Sequence, residues 1–204
     1  VVHALLIAGQ EDVNAQDEDG TTALMYAARY GGEHAAGMMR LLMGAGAAVD
    51  KQHKDAALMI AALHGGEHGA GMMEVLLDAG ADANTQTKDG LTALMIAASH
   101  GGEHGAAMME VLLDAGADAN IYYKQSESGR TALMMAAEFG GEHAAGMMRL
   151  LLDAGADANK QTEDGWTALM VAAQEGGEHA EAMVRVLLDA GAAVDAHDKK
   201  GGTA

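Results

Sequence analysis

The sequence has no cysteine, no proline and few aromatic residues. Without cysteine, the chain cannot form disulfide bonds or thiolate zinc sites. One Trp, four Tyr and one Phe are the only aromatic residues among 204, whereas half of the residues are apolar and much of that half is alanine. This composition favours helices that stack closely through small aliphatic side chains.

Basic residues are also scarce, with 12 Lys and Arg against 30 Asp and Glu, for a formal net charge of -18 at pH 7. Such a chain repels phosphate backbones and anionic lipid surfaces, so nucleic-acid and membrane binding are disfavoured. The acidity either keeps a repetitive apolar-rich chain soluble or steers a basic partner onto an acidic groove. No uncharged apolar run is long enough to span a bilayer, and residues 1–7 resemble the end of a helix more than a signal peptide. We therefore expect a cytoplasmic location.

One phrase, Gly-Gly-Glu-His, occurs five times, and its histidines are 34, 36, 39 and 36 residues apart. A period in this range is typical of a stacked-repeat solenoid, in which each unit contacts mainly its neighbours. The Asp or Asn that ends each unit divides a single repeat domain, 1–204, into partial repeats 1–14 and 196–204 and complete repeats 15–50, 51–84, 85–120, 121–159 and 160–195. Because the last partial repeat stops inside the motif, we expect the natural protein to continue in one or both directions.

Each unit predicts two helices. In repeat 85–120, Thr92 is a candidate N-cap for a short first helix, which Gly101-Gly102 should end. The second helix runs from Glu103 to Ala115, and Gly116 suits a left-handed C-cap. An Asp-, Asn- and Gly-rich connection follows, so the predicted element is helix, turn, helix and protruding loop.

The units resemble the ankyrin repeat, whose hallmark runs from Gly-x-Thr-Pro-Leu-His through Ala-Ala to Leu-Leu-x-x-Gly-Ala-Asp-x-Asn. In repeat 85–120 the matching residues are Gly90, Thr92, Leu94, Ala97, Ala98, Leu112, Leu113, Gly116, Ala117, Asp118 and Asn120. The resemblance covers essentially the whole chain and implies an all-α, ankyrin-like solenoid of stacked helix-turn-helix repeats with protruding hairpin loops. It also implies a non-catalytic protein-interaction module.

The units depart from that hallmark in three ways. Alanine and methionine replace its proline and histidine, as at Ala93 and Met95. The typical length is 36 residues, about three more than the usual repeat, which predicts a longer helix–helix turn or an added turn on the second helix. Repeat 51–84 lacks two loop residues and reads Lys54-Asp55-Ala56-Ala57, which predicts a shorter loop tip. Most of the 16 methionines are expected to fill the core.

The five Glu-His pairs invite a metal-site hypothesis, since both residue types bind metals. Equivalent positions in adjacent repeats should lie about 10 Å apart, too far for ligands that converge on one zinc ion, so we interpret the histidines as hydrogen-bonding groups at the helix start. No nucleophile motif, phosphate-binding loop or isolated carboxylate pair stands out. We therefore expect no enzyme activity, no cofactor and no metal.

The resemblance also implies a partner-binding concave face, lined by loop tips, by the residue before each motif Thr and by the two residues after Ala-Ala. Five of the six aromatic residues fall at such positions, whereas Tyr26 is expected to pack in the first helix. The predicted partner-binding residues are Tyr30, Tyr122, Tyr123, Phe139, Trp166, Arg29, Leu91, His64, His100, Arg130, Glu138, Gln174 and Glu175, with Lys124 and Glu163 as further polar neighbours. Exposed aromatic clusters are typical anchors of recognition surfaces; alternatively, these rings only pack on adjacent repeats.

Three functions remain open from the sequence. The first is a module that binds a protein partner along the concave face, with a basic partner as one option. The second is a structural spacer or an array that self-associates through its open repeat ends. The third is the recognition segment of a larger enzyme or channel. The partner cannot be named from the sequence, because one repeat scaffold serves many targets.

Overall fold

The computed structural model describes residues 12–47, 51–123, 129–175 and 177–204, and these ranges are helical, with no strand. The chain divides into two compact units between Ala83 and Asn84. The all-α repeat architecture predicted from the sequence is confirmed.

The first unit contains two helical hairpins. Its helices are α1 (Ala23–Tyr30), α2 (Ala35–Gly44), α3 (Lys51–His64) and α4 (Gly69–Asp78). The first helices of the hairpins, α1 and α3, pack on each other, and so do the second helices, α2 and α4. The hairpins are therefore stacked side by side.

The second unit repeats this arrangement three times. Its helices are α5 (Ala93–His100), α6 (Gly102–Asp114), α7 (Ala132–Phe139), α8 (Ala144–Asp153), α9 (Ala168–Glu175) and α10 (Ala180–Asp189). The short first helices α5, α7 and α9 form one layer, and the longer second helices α6, α8 and α10 form the other. Leu, Met and Ala side chains fill the space between the layers of each unit, and 13 of the 16 methionines are buried, which confirms their predicted place in the core.

Four of the first helices begin at a buried threonine. The hydroxyls of Thr22, Thr92, Thr131 and Thr167 each accept a hydrogen bond from the backbone N–H three residues later, at 3.2–3.4 Å. Each hydroxyl satisfies an N–H group that has no partner inside the helix. The predicted N-caps are therefore confirmed.

Glycines end both helices of the hairpin. The Gly-Gly pair follows directly after the last residue of each first helix, as at Gly101 after His100. At the end of α6, Gly116 has φ 84°, and its N–H and that of Ala117 bond back to Leu113 O and Leu112 O. That pair of bonds is a Schellman motif, which requires the left-handed conformation predicted for Gly116.

The three extra residues per repeat lie between the two helices. Gly-Glu-His forms a single 3₁₀ turn in four repeats, at Gly32–His34, Gly66–His68, Gly141–His143 and Gly177–His179, whereas in repeat 85–120 it is part of α6. Both predicted alternatives therefore occur. The predicted hydrogen bonding of histidine side chains at the helix start is wrong, because the N-cap residues His34, His68, His143 and His179 make no side-chain capping bond.

Loops that we call fingers precede the first helices other than α3, as residues 85–92 precede α5. In the finger of repeat 85–120, Thr87 N–H bonds to Leu91 O and Gly90 N–H bonds to Thr87 O, both at 2.9 Å. The tip glycine Gly90 has φ 89°, a conformation that a residue with a Cβ adopts at a cost. The finger is thus a tight antiparallel turn that delivers its last residues to the start of the helix.

The predicted short loop in repeat 51–84 is wrong, because this segment is helical from Lys51 to His64. The tip glycine and the capping threonine of the other repeats are here Lys54 and Ala56. Neither residue favours a left-handed turn or a helix start. Since both the turn glycine and the N-cap threonine are missing, α3 begins earlier and extends through the region that forms a finger elsewhere.

An asparagine ladder joins adjacent repeats at the finger bases. The side-chain amides of Asn14, Asn84, Asn120 and Asn159 donate to the C-cap glycine carbonyl of the next repeat, at 2.9–3.2 Å. The Asn84, Asn120 and Asn159 carbonyls accept from a backbone N–H two residues beyond that glycine, at 2.6–2.8 Å. One side chain therefore satisfies a donor and an acceptor of its neighbour.

In repeat 51–84, two charged residues of α3 bond to the loop that follows α4. Lys54 Nζ donates to Ala79 O at 2.8 Å, and Asp55 Oδ1 accepts from Asp82 N–H at 2.7 Å. Lys51 Nζ lies between the carboxylates of Asp55 and Asp82, at 3.0 and 2.8 Å. These two carboxylates raise the pKa of the Lys51 ammonium. Charged side chains of α3 thus bond to the loop of their own repeat, whereas the asparagines of the ladder bond to the loop of the next repeat.

Candidate protein-binding surface

The second unit has an open groove between the repeats 121–159 and 160–195. We call it the Trp166 groove; its volume is about 210 Å³. Its apolar lining residues are Trp166 and Val171, and its polar lining residues are Arg130, Glu138, Thr162, Asp164, Gln174 and Glu175. Five of the predicted partner-binding residues, Arg130, Glu138, Trp166, Gln174 and Glu175, thus lie together.

The finger of repeat 160–195 positions the indole. Thr162 is buried, and its hydroxyl accepts from Trp166 N–H at 2.9 Å, while Thr162 N–H donates to Trp166 O at 2.9 Å. Gly165, at φ 84°, turns the chain between them. Trp166 is therefore fixed at both backbone polar groups, with its side chain half-buried directly before the capping Thr167.

The groove carries three carboxylates and one guanidinium. Arg130, at the end of its finger, donates a hydrogen bond to the carboxylate of Glu138 near the end of α7. Gln174 Nε2 donates to Glu175 Oε1 at 2.7 Å. Within the described ranges, Asp164 and Glu175 form no ion pair. The groove therefore has two carboxylates beyond the one that Arg130 balances.

Several other predicted residues of the second unit lie outside the groove lining. Phe139 ends α7 and is 49% exposed, and Tyr122 is 44% exposed, with Lys160 Nζ 5.8 Å from its ring centre. Tyr123 and Leu91 are half-buried, and His100 is exposed at the end of α5. Glu163 is exposed, and Lys124 falls outside the described residues. The structure therefore divides the predicted residues of this unit between a groove and scattered surface positions.

In the first unit, a tyrosine pair lies on the exposed side of α1. The rings of Tyr26 and Tyr30 stack with centres 6.0 Å apart, and the guanidinium of Arg29 lies 5.4 Å from the Tyr30 ring. The expectation that Tyr26 packs in the helix is wrong, because 48% of it is exposed and its hydroxyl donates to Asp17 Oδ2 at 2.6 Å. His64, the last residue of α3, is also exposed.

The Tyr26–Asp17 hydrogen bond changes the titration of both groups. The bond from Tyr26, and after it the backbone N–H of Thr21, lowers the pKa of the Asp17 carboxyl. The same bond, together with the negative charge of Asp17, raises the pKa of the Tyr26 phenol. The finger is therefore tied to α1 by a hydrogen bond whose acceptor, the Asp17 carboxylate, is ionised at neutral pH.

The Glu-His pairs lie at the surface, with exposed glutamates and, in three of four pairs, half-buried histidines. In four repeats the imidazole lies 3.3–3.8 Å from the carboxylate of the preceding glutamate. In the part of the chain that the structure describes, no three His, Asp or Glu side chains come close enough together to hold a metal ion. Each pair is thus a contact between two adjacent residues of one turn.

A family profile for ankyrin repeats (three copies) matches residues 1–82, 67–148 and 142–204. The chain belongs to the ankyrin-repeat family. Ankyrin repeats generally act as protein–protein interaction modules and are typically non-catalytic. No curated protein matches the chain. Among the described residues, no ankyrin helix is both long and apolar enough to cross a membrane.

Sequence reasoning missed three groove residues, Thr162, Asp164 and Val171. Val171 occupies in α9 the position that Tyr26 has in α1, but Val171 is buried, and a buried apolar residue carries no sequence signal that it lines a groove. Thr162 and Asp164 belong to the finger, where the ankyrin resemblance already expects binding residues.

Proposed function

We propose that this ankyrin-repeat chain is a non-catalytic module that binds a protein partner through its fingers and the ends of its first helices, with the Trp166 groove as the main contact. The observation that carries this proposal is a half-buried Trp166 that lines an open groove together with six polar residues. Tryptophan is enriched among the residues that dominate binding energy, in settings where surrounding polar groups limit water access.

The size of the groove favours a protein over a small-molecule ligand. Its volume of about 210 Å³ is below the range of about 300–1,000 Å³ that is usual for small-molecule sites. A single side chain that protrudes from a protein surface fits such a space. The exposed rings of Tyr122 and Phe139 then provide further contact area in the same unit.

The first unit offers a second contact region of similar character. The tyrosine pair presents two rings with Arg29 beside them. Rings that already stack on each other, with a guanidinium beside one of them, lose little side-chain conformational entropy when a partner binds. We include Tyr30, Arg29 and His64 in the proposed binding surface for this reason.

The test is selection of peptides from a random display library on the full chain, followed by affinity measurement with variants. Replacing Trp166 and Phe139 together by alanine should weaken the selected peptides at least about tenfold, since each anchor contributes about 1–2 kcal/mol or more. Val194→Ala is a matched control, because Val194 is apolar and 62% exposed but lies outside the proposed surface.

Circular dichroism melting of each variant checks that the fold is intact. Peptides that bind the double variant as tightly as the natural chain, or a library that yields no binder, would contradict the proposal. Light scattering at several concentrations shows whether the chain self-associates in the same buffer.

A further inference from the structure

We propose that the Trp166 groove receives an arginine side chain of the partner, with the guanidinium over the indole and between Asp164 and Glu175. This inference rests on the proposed function and specifies the chemistry of the partner at that surface. It depends on the charge of the groove, on its shape and on the position of its one aromatic ring.

The charges of the groove select against an anionic side chain. Among the described residues that line it, Arg130 is the only cation, and Arg130 is already bonded to Glu138. An acidic side chain would meet the remaining carboxylates of Asp164 and Glu175 at close range, where like charges repel. A cation, in contrast, would balance both.

The polar lining also selects against an aliphatic or aromatic anchor. Six of the eight lining residues are polar, and Trp166 and Val171 are the two apolar ones. An apolar side chain that filled the groove would exclude water from carboxylates that it cannot pair, which costs free energy. A side chain with an apolar stem and a charged end avoids that cost.

Among cations, the arrangement favours arginine over lysine. A planar guanidinium stacks on an indole face and at the same time donates paired hydrogen bonds in its own plane to a carboxylate. Gln174 holds one oxygen of Glu175, which limits the rotation of that carboxylate at the groove edge. A lysine ammonium offers a point charge without this planar match.

The net charge of the chain supports the same assignment. A chain with a formal charge of -18 attracts basic segments over distances longer than a single contact and speeds their association at low salt. The groove then adds selectivity for the residue that can both stack and pair.

Trp166 is the only tryptophan, so its fluorescence reports directly on this groove. The probe is acetyl-Gly-Gly-Arg-Gly-Gly-amide, titrated into the full chain at low ionic strength, with the citrulline peptide as its neutral isostere. We expect saturable quenching by the arginine peptide with a Kd of about 1 mM, a strength typical of a few contacts, and no saturation with citrulline.

Glu175→Gln should weaken binding of the arginine peptide about tenfold, the effect of losing one charge-assisted hydrogen bond. Glu110→Gln, which removes the same charge from an exposed position on α6, should leave the Kd within about twofold. This control separates a local contact from the general effect of net charge.

The inference is overturned if the citrulline peptide binds with the same Kd, if both variants weaken binding equally, or if the arginine peptide gives no saturable change. If the arginine peptide gives no saturable change but the affinity of library-selected peptides still depends on Trp166, the proposed function stands and only the identity of the bound side chain is wrong. If no selected peptide depends on Trp166, the proposed function itself fails.

Discussion

Gly140 is a position where a single added methyl group should destabilise the fold sharply. It follows α7 directly and precedes the Gly141–His143 turn. A Cβ at Gly140 would lie 2.4 Å from Ala136 O and 2.6 Å from the Cα of Ala144. Both neighbours are backbone atoms, so neither can move aside by rotating a side chain.

Two nearby glycines provide internal controls. A Cβ at Gly141 meets no atom within 4 Å, but this residue has φ 57°. Gly146 lies inside α8 with ordinary helical geometry and open space around it. Substituting alanine at each of these three glycines thus tests three effects separately: steric overlap with the backbone at Gly140, left-handed backbone strain at Gly141 and helix propensity at Gly146.

The expected effects on the free energy of unfolding differ in size and sign. Gly140→Ala should cost about 1–3 kcal/mol or more from overpacking. Gly141→Ala should cost about 1–2 kcal/mol because an L-residue is strained in the left-handed region. Gly146→Ala should stabilise by about 0.5–1 kcal/mol, since glycine weakens a helix interior by that amount. Alanine already occupies the equivalent position in two repeats, at Ala107 and Ala182.

Urea unfolding followed by far-UV circular dichroism gives the comparison, with midpoints compared only where the slopes agree, because repeat arrays can unfold in more than one step. The expected order of midpoints is Gly146→Ala above the natural chain, with Gly140→Ala and Gly141→Ala below it. A Gly140→Ala midpoint equal to or above that of Gly146→Ala would refute the reasoning from close approach.

Two further substitutions test contacts outside the groove. Asn120→Ala removes both hydrogen bonds to the next repeat and should cost about 1–3 kcal/mol, measured by urea unfolding; a loss no larger than that of Lys88→Ala, at an exposed finger position, would count against the ladder. Tyr26→Phe removes the hydrogen bond that lowers the pKa of Asp17, so NMR titration should show this pKa rise, whereas Tyr30→Phe should not change it. Because the folded-state pKa of Asp17 is lowered, the stability contributed by the bond is present at neutral pH and is lost as pH falls through that pKa; equal destabilisation by Tyr26→Phe at neutral and at strongly acidic pH would contradict this.

Local signals made the helix boundaries predictable. Thr92 and Gly116 each act through backbone groups within a few residues, so their roles can be inferred from sequence alone. The same signals explain the error in repeat 51–84, where Lys54 and Ala56 replace the glycine and threonine that define a finger. Both changes are visible in the sequence, and their effect is the loss of the turn glycine and the helix N-cap, not a shorter loop.

The groove was only partly predictable because its members meet through tertiary packing. Position within the repeat identified Trp166 and Glu175 as surface residues. It could not indicate that Arg130 bonds to Glu138 across the finger and helix, since this contact depends on how the finger folds back. Tyr26 was misplaced because its equivalents, such as Ile96 and Val171, are apolar, and its bond to Asp17 has no counterpart in the other repeats.

The most direct test of the binding proposal is an amide and indole NMR shift map of the full chain with a library-selected peptide. The largest shifts should occur at the Trp166 indole N–H, at Arg130 and at Gln174 and Glu175, with smaller changes along the fingers. Shifts concentrated on the second helices α6, α8 and α10, with an unchanged Trp166 indole signal, would contradict it.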